Sequence, residues 1–227
     1  GAKLITEHDG APAFGGTPSD DSVLQAIAEL KARGYKVALY PFVLMDVPAE
    51  NALPDPYGAE AQAAYPWRGR ITVDPAPGES GSPDKTGAAV TQTTNFFGAA
   101  TPAHFAIASG APSYSGPAEW SYRRFILHNA KLAALAGGVD AFIIGSELRG
   151  LTSVRAEGNT FPAVEALRAL AGDVRAIVGV ETKLTYAADW SEYFGYQPQD
   201  ESGDVFFHLD PLWADESIDA VGIDWYP

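Results

Sequence analysis

The chain has 227 residues, of which 46% are hydrophobic and 19% are charged, so it is long enough to bury one sizeable core. Lys and Arg total 15 against 29 Asp and Glu, and the formal net charge of −14 repels nucleic acid and anionic membrane surfaces. Without cysteine the chain can form neither disulfide bonds nor a thiolate metal site. We expect a single domain over residues 1–227 that binds no nucleic acid. We also expect no membrane insertion, because no apolar run approaches the roughly 20 residues that span a bilayer.

The first predicted unit is a helix followed by a strand, in TPSDDSVLQAIAELKARGYKVALYPFVLMD. Ser19 or Asp20 can cap the helix, apolar residues recur within it at helical spacing, and Gly34 ends it. The nearly continuous apolar run from Val37 to Leu44 predicts a parallel strand that is covered on both faces.

Three further pairs of a helix and a strand follow later in the chain. A long amphipathic helix in EWSYRRFILHNAKLAALAGGV, predicted to end at Gly137-Gly138, precedes the strand DAFIIGSE. The helix FPAVEALRALAGDVRAIVG precedes the strand TKLTYAAD, and PLWADESIDAVGIDWYP combines a short helical turn with a last strand. The alternation predicts an α/β fold with parallel strands. Apolar periodicity in the long helix also predicts that Trp120 and Tyr122 lie in the core.

A stretch rich in Pro and Gly, residues 47–90, separates the first two units. A linker between two domains is one interpretation. The large aromatic residues Tyr57, Tyr65 and Trp67 favour the other, a functional loop on a rigid scaffold, because a solvated linker rarely carries such side chains. We therefore expect this loop to pack over the barrel mouth, where the strands end, with Trp67 substantially buried.

Polar and aromatic residues follow each predicted strand. In parallel β/α folds the carboxyl ends of the strands meet at one edge, so these residues should share a pocket of carboxylates and aromatic faces. Such a pocket suits a sugar, because aromatic rings stack on its C–H faces and carboxylates accept hydrogen bonds from its hydroxyls. The candidate sugar-binding residues are Tyr40, Asp46, Trp67, Tyr186, Asp189, Trp190, Asp224, Trp225 and Tyr226.

The candidate catalytic residue is Glu147, which ends an apolar strand in VDAFIIGSELRGL. A partly desolvated carboxylic acid can protonate a glycosidic oxygen, which makes Glu147 a candidate general acid. The alternative is structural: Glu147 could be the N-terminal acid of a helix that begins near Leu148, or the ion-pair partner of Arg149. Asp46 and Asp224 could likewise be loop caps.

Other kinds of chemistry find little support in the sequence. No glycine-rich phosphate loop is visible, and Ser146 lacks the second glycine of a nucleophile elbow. We expect no metal and no cofactor, because no metal-ligand spacing relates the histidines, although His208 could reach the rim. These histidines are His8, His104, His128 and His208.

Long motifs distributed along the chain resemble one known family. They include YPWRGRIT, GSPDKT, EWSYRRFILHNAKLAALAGGVDAFIIGSELRGLT, YAADWSEYFGYQP and VFFHLDPLWADESIDAVGIDWYP. These motifs resemble the TIM-barrel-like domain of the large tail-tip protein, the baseplate hub or host-specificity protein, of gene transfer agents and related tailed phages. The resemblance implies a glycoside-hydrolase-like TIM-type (β/α) barrel at the tail tip of a phage-like particle, extracellular after release. It also implies bacterial cell-surface polysaccharide and other tail or baseplate proteins as partners.

Two functions are compatible with this resemblance. One is a retaining glycoside hydrolase with Glu147 as acid/base, and the other is a non-catalytic carbohydrate-binding or structural baseplate module. The family's barrel has a strand before the first unit found here and two β/α units after the last, which include a second glutamate. The resemblance therefore implies a partial barrel, in which Asp224 or Asp189 is the best substitute for the missing carboxylate.

Overall fold

A computed structural model describes residues 17–226 together with two short paired strands, β1 (Glu7–His8) and β2 (Ala11–Pro12). Six helices follow in chain order: α1 (Asp20–Ala32), α2 (Gly87–Phe97), α3 (Tyr122–Leu135), α4 (Arg149–Thr152), α5 (Pro162–Val178) and α6 (Asp210–Trp213). The remaining strands are β3 (Ala38–Leu39), β4 (Phe105–Ala108), β5 (Ala111–Tyr114), β6 (Ala141–Ser146), β7 (Lys183–Asp189) and β8 (Gly222–Asp224).

The central sheet is parallel and has four strands in the order β3-β6-β7-β8. A helix precedes each of these strands, and successive β/α units place their strands side by side, as in a β/α barrel. The predicted α/β class is confirmed. Within the described part of the chain the sheet stays open, with β3 and β8 at its two edges.

Capping residues explain where the two long helices, α3 and α5, begin and end. The Ser121 hydroxyl accepts a hydrogen bond from the backbone N–H of Arg124 and caps α3. Helix α5 begins with Pro162 in its first turn and ends at Gly179, whose φ of 79° suits glycine. Both helices bury one apolar face against the sheet, and the core they form with β6 and β7 includes Ile126, Leu127, Phe142, Ile144, Leu167, Leu170, Leu184 and Tyr186.

The first strand is shorter than the sequence predicts. The apolar run 37–44 forms ladder pairs at Ala38 and Leu39 alone, and the side chains of Phe42 and Leu44 are exposed. Pro41 explains the early end, because proline has no backbone N–H to donate to a neighbouring strand.

Two further expectations need correction, and one pair of strands was not predicted. Helix α2 begins at Gly87, inside the stretch predicted as loop, where Thr86 caps it by accepting from the backbone N–H of Ala88. The antiparallel hairpin β4–β5 was not predicted at all. Tyr122 is buried as expected, but Trp120 is 53% exposed, because its ring covers the guanidinium of Arg124 at 3.9 Å rather than entering the core.

Tyr57 and the turn at residues 68–71 pack against the short helix α4, which follows Glu147. A Cβ atom on Gly150 would lie 2.6 Å from the carbonyl oxygen of Gly69 and 2.8 Å from the hydroxyl of Tyr57. The backbones therefore approach more closely than any residue with a side chain at position 150 would permit. Among the described residues, no helix is long and apolar enough to cross a bilayer.

Candidate active site at the carboxyl ends of the strands

The acidic residues predicted from the strand ends lie together at the carboxyl ends of the parallel strands. Ser146, the last residue of β6, pairs in register with Ala187 of β7, and Asp189 of β7 pairs with Asp224 of β8. Glu147 directly follows β6. Three neighbouring strands thus deliver Glu147, Asp189 and Asp224 to the same rim, as the parallel arrangement requires.

The backbone at Glu147 has an unusual conformation. Its φ is 50°, in the left-handed region that residues with a side chain rarely adopt, and its N–H donates to the carbonyl of Ala187 at 2.9 Å. The pairing of β6 with β7 shifts register just before this point, between Ile143 and Ser146. Irregularities of this kind redirect side chains and cluster at functional sites.

Two donors from the 47–90 segment hold the Glu147 carboxylate, which is only 3% exposed. Its Oε2 atom accepts a hydrogen bond from Trp67 Nε1 and pairs with the Arg68 guanidinium, both at 2.7 Å. Arg68 also donates from Nε to the Ser146 hydroxyl at 2.9 Å. The ion-pair partner of Glu147 is therefore Arg68, from the loop, and not the sequence neighbour Arg149, whose side chain is exposed.

The Trp67 ring lies over Gly69 and is 40% exposed, so the expectation that Trp67 is substantially buried was wrong. A Cβ atom at position 69 would lie 2.4 Å from this ring. The indole N–H reaches the buried carboxylate while one part of the ring stays open to solvent. The exposed part faces a cleft of about 290 Å³ that Asp46, Tyr65 and Arg68 also line.

Asp224 and Tyr40 form a second contact on the rim, in which the Tyr40 hydroxyl donates to the Asp224 carboxylate. Burial raises the pKa of Asp224, the Tyr40 hydrogen bond opposes that change, and the nearby charge of Glu147 raises the pKa further. Burial raises the pKa of Tyr40, and the hydrogen bond to Asp224 raises it further. The pKa of Tyr226 is raised by desolvation first and then by the charge of Glu147. Asp224 and Tyr226 therefore lie within electrostatic reach of Glu147.

Asp189 and the exposed aromatic residues complete the rim. Asp189 is buried and accepts hydrogen bonds from the backbone N–H of Ser191, at 2.9 Å, and from its hydroxyl. Trp190 and Trp225 meet edge to face with their ring centroids 5.9 Å apart, and both rings are partly exposed. The rim thus presents aromatic faces beside carboxylates.

Tyr186 and His208 do not reach the rim surface. Tyr186 is completely buried, and its hydroxyl accepts a hydrogen bond from the backbone N–H of Leu148 at 2.7 Å. His208 is buried against Phe161, with ring centroids 5.2 Å apart, and against Tyr196, and burial lowers its pKa to about 4.

Sequence reasoning missed two polar residues around the site, Arg68 and Glu192. Glu192 is buried and accepts a hydrogen bond from the Tyr186 hydroxyl at 2.9 Å. Its position three residues after Asp189, in the turn that follows β7, was the available signal, and for Arg68 it was a cation beside an aromatic residue in YPWRGRIT. In the described part of the chain, no three His, Asp or Glu side chains are grouped so that they could hold a metal ion.

Adjacent parallel strands, each preceded by a helix and three of them carrying acidic residues at their carboxyl ends, define a domain of the β/α barrel class. Residues 120–227 match the model of the family described as GTA TIM-barrel-like domain, which confirms over this segment the family resemblance that the sequence motifs indicated. The domain is accordingly a partial TIM-type barrel, whose residues 120–227 are similar to the GTA TIM-barrel-like domain.

No curated protein sequence matches the chain. The solved structures that match it include one of a GH113 β-1,4-mannanase complex, with 17% identity and a TM-score of 0.45. The alignment covers 90% of this chain and 42% of that chain, so the present chain spans less than half the length of the mannanase chain.

Proposed function

We propose that this chain is the glycoside-hydrolase-like domain of a tail-tip protein in a phage-like gene transfer particle. In this proposal the rim engages bacterial envelope polysaccharide, and Glu147 acts on it as acid/base of a retaining hydrolase. The observation that supports it is the buried Glu147 carboxylate at a rim that also carries Asp189, Asp224 and exposed tryptophans.

Each part of the rim has a role in sugar binding. The exposed rings of Trp190, Trp225 and Tyr226 offer flat apolar faces to the C–H groups of pyranose rings. The Asp224 carboxylate accepts hydrogen bonds from sugar hydroxyls. The cleft beside Trp67, with Asp46 on its wall, extends the surface away from Glu147 and gives a polysaccharide room to continue.

In the proposed reaction Glu147 protonates the leaving glycosidic oxygen and later removes a proton from the attacking water. Of the two aspartates, Asp224 is the better second carboxylate. The Asp189 carboxylate already accepts a hydrogen bond from the backbone N–H of Ser191. The Asp224 carboxylate is partly exposed and accepts a hydrogen bond from Tyr40, and the nearby charge of Glu147 raises its pKa. Retaining enzymes hold two such carboxyl groups about 5 Å apart.

One observation favours the second candidate function, a non-catalytic carbohydrate-binding module. Trp67 and Arg68 both donate to the Oε2 atom of Glu147, so in this arrangement that oxygen is an acceptor and cannot deliver a proton to a sugar. Proton donation then requires Arg68 to move away when substrate binds, whereas a module that only binds sugar would keep the pair closed.

The test compares Glu147→Gln with the control Glu181→Gln. The control makes the same change at an exposed position just before β7, at the amino ends of the strands and away from the rim. Purified envelope polysaccharide is incubated with each protein and new reducing ends are counted. Loss of the general acid should slow cleavage by about 10²–10⁴-fold in Glu147→Gln and leave Glu181→Gln unchanged. Cleavage of an aryl glycoside with a good leaving group should slow much less in Glu147→Gln, because the departure of that leaving group needs little protonation.

The remaining outcomes separate the alternatives. Equal cleavage by wild type and Glu147→Gln would exclude Glu147 as the acid. Absence of cleavage by both proteins, together with measurable sugar binding, would favour the non-catalytic module. The particle location has its own test: gold-labelled antibody against the chain should mark the tail tip in electron micrographs, and label confined to the head would contradict the proposal.

A further inference from the structure

The carboxylate of Glu192 lies beneath the rim, is 2% exposed and makes three hydrogen bonds. Its Oε1 atom accepts from the Thr152 hydroxyl at 2.5 Å and from the Tyr186 hydroxyl at 2.9 Å. Its Oε2 atom accepts from the backbone N–H of Asp189 at 3.0 Å. Both carboxylate oxygens are therefore occupied by protein groups, and the side chain is too deeply buried to touch a sugar.

One of these contacts continues toward Glu147. The Tyr186 hydroxyl accepts a hydrogen bond from the backbone N–H of Leu148 at 2.7 Å. A phenol has one proton, so the hydroxyl that accepts from Leu148 donates its own proton to Glu192. Leu148 directly follows Glu147, and its N–H belongs to the peptide group that Glu147 contributes.

That peptide group needs to be held, because Glu147 has a φ of 50°. A residue with a side chain adopts this left-handed conformation at a cost, and it persists where surrounding contacts fix it. The N–H of Glu147 bonds to Ala187 and the N–H of Leu148 bonds to Tyr186, so β7 holds the peptide on both sides of the residue.

The other carboxylate oxygen of Glu192, Oε2, binds the end of β7. By accepting from the N–H of Asp189, the last residue of β7, it fixes the point at which the chain leaves the sheet. One buried side chain thus holds the ends of two adjacent strands, and each end carries an acidic residue of the rim.

We propose that Glu192 is the positioning residue of this site: through Tyr186 it fixes the backbone at Glu147, and thereby aims the Glu147 carboxylate at the rim, without contacting substrate. The expected effect of Glu192 on the reaction rests on the proposed function. The positioning of the Glu147 backbone by Glu192 rests on the hydrogen bonds alone.

A matched pair of variants isolates the proposed route. Tyr186→Phe and Thr152→Val each remove one hydroxyl that donates to Oε1 of Glu192, and both positions are fully buried. Tyr186 alone also contacts the backbone that follows Glu147. The first readout needs no activity: amide hydrogen exchange at Leu148, measured by NMR in the whole chain.

We expect the Leu148 amide to exchange about tenfold faster in Tyr186→Phe and at nearly the wild-type rate in Thr152→Val, as the loss of one net hydrogen bond predicts. In the glycan cleavage assay, Tyr186→Phe should lower kcat about tenfold with little change in KM, because the acid is misdirected while the sugar-binding surface is intact. Thr152→Val should keep the wild-type kcat.

A second pair of variants keeps the test decisive if Tyr186→Phe fails to fold. Glu192→Gln retains an oxygen that accepts from Tyr186, and should preserve slow Leu148 exchange, whereas Glu192→Leu should lose it. Equal exchange at Leu148 in both members of either pair would overturn the positioning role. Fast exchange confined to Tyr186→Phe and Glu192→Leu, in a protein that cleaves no glycan, would support the positioning role and contradict the hydrolase.

Discussion

Glu147 and Glu192 are both buried carboxylates next to the carboxyl end of a strand, but their surroundings differ. Glu147 faces a guanidinium and an indole N–H, and both come from the loop at residues 67–68. Glu192 receives hydrogen bonds from two hydroxyls and one backbone N–H, none of which carries a charge. One acid is paired with a cation at the rim, and the other is enclosed in the core.

The comparison shows that the hydrogen-bond count alone does not decide how a buried acid behaves. Glu192 has three donors, yet burial raises its pKa to about 7, and the bonds from Thr152, Tyr186 and Asp189 only reduce that rise. A cation such as Arg68 offsets the loss of solvation in a way that neutral donors do not. Glu192 is therefore suited to hold structure, and Glu147 to present a carboxylate where substrate could approach.

The largest expected effect comes from removing the cation. Arg68→Met leaves the buried Glu147 carboxylate without a charged partner, and should lower the free energy of unfolding by about 3–5 kcal/mol. Arg149→Met, at an exposed arginine two residues from Glu147, should change it by less than about 0.5 kcal/mol. Urea unfolding at neutral pH measures both values. The double variant Arg68→Met/Glu147→Gln should regain most of the loss, and no recovery would mean that the pair does not control stability.

The next effect concerns pH. The pKa of Glu192 is about 7 in the folded protein and 4.5 for an ordinary glutamate, so between these values the unfolded chain releases a proton that the folded chain keeps. The contribution of Glu192 to wild-type stability should therefore fall by roughly 3 kcal/mol as pH rises through this window. Glu192→Gln should lack this contribution, so its stability relative to wild type should rise with pH.

Urea unfolding of both proteins at a series of pH values measures this difference. The buried His208, with its pKa lowered to about 4, contributes a slope of the opposite sign, because the unfolded chain gains a proton as pH falls below 6.5. This contribution is common to both proteins and cancels in the comparison. A difference between them that does not vary with pH would show that Glu192 is ionised in the folded protein throughout.

A smaller effect is expected from the indole contact. Trp67→Phe keeps an aromatic ring but removes the donor to Glu147, and should cost about 1.5–3 kcal/mol, the range for a hydrogen bond to a charged group. Trp120→Phe is the control, because that exposed ring packs over Arg124 in the first turn of α3. Thermal unfolding of the two variants measures the contrast, and equal losses would remove the special role of the indole N–H.

The smallest effect on stability is expected at the rim surface. Tyr226 and Tyr35 are 69% and 61% exposed, and replacing either by Ala should change the free energy of unfolding by less than about 0.5 kcal/mol. Tyr226→Ala should weaken binding of envelope polysaccharide about tenfold, whereas Tyr35→Ala, near the amino end of β3, should not. Calorimetric titration with polysaccharide fragments measures both affinities, and equal affinities would exclude Tyr226 from the binding surface.

The sequence by itself determined the elements that local signals specify. Helices α3 and α5 and strands β6 and β7 lie close to their predicted bounds, because their apolar periodicity, caps and terminal glycines act within a few residues. The same rhythm of parallel units predicted that Glu147, Asp189 and Asp224 follow strand ends. Where local signals conflicted, prediction failed: Pro41 shortened β3, and the Pro- and Gly-rich composition before Gly87 concealed the start of α2.

Only the tertiary structure decided which groups surround each acid. Arg68 lies 79 positions before Glu147, and the path of the intervening loop, which no local pattern specifies, makes it the ion-pair partner in place of the nearby Arg149. The same long-range packing leaves Trp67 partly exposed and joins Tyr186 to Leu148, 38 residues away. A carboxylate's chemistry depends on charges and donors within a few ångströms, and chain neighbours supply only a few of these.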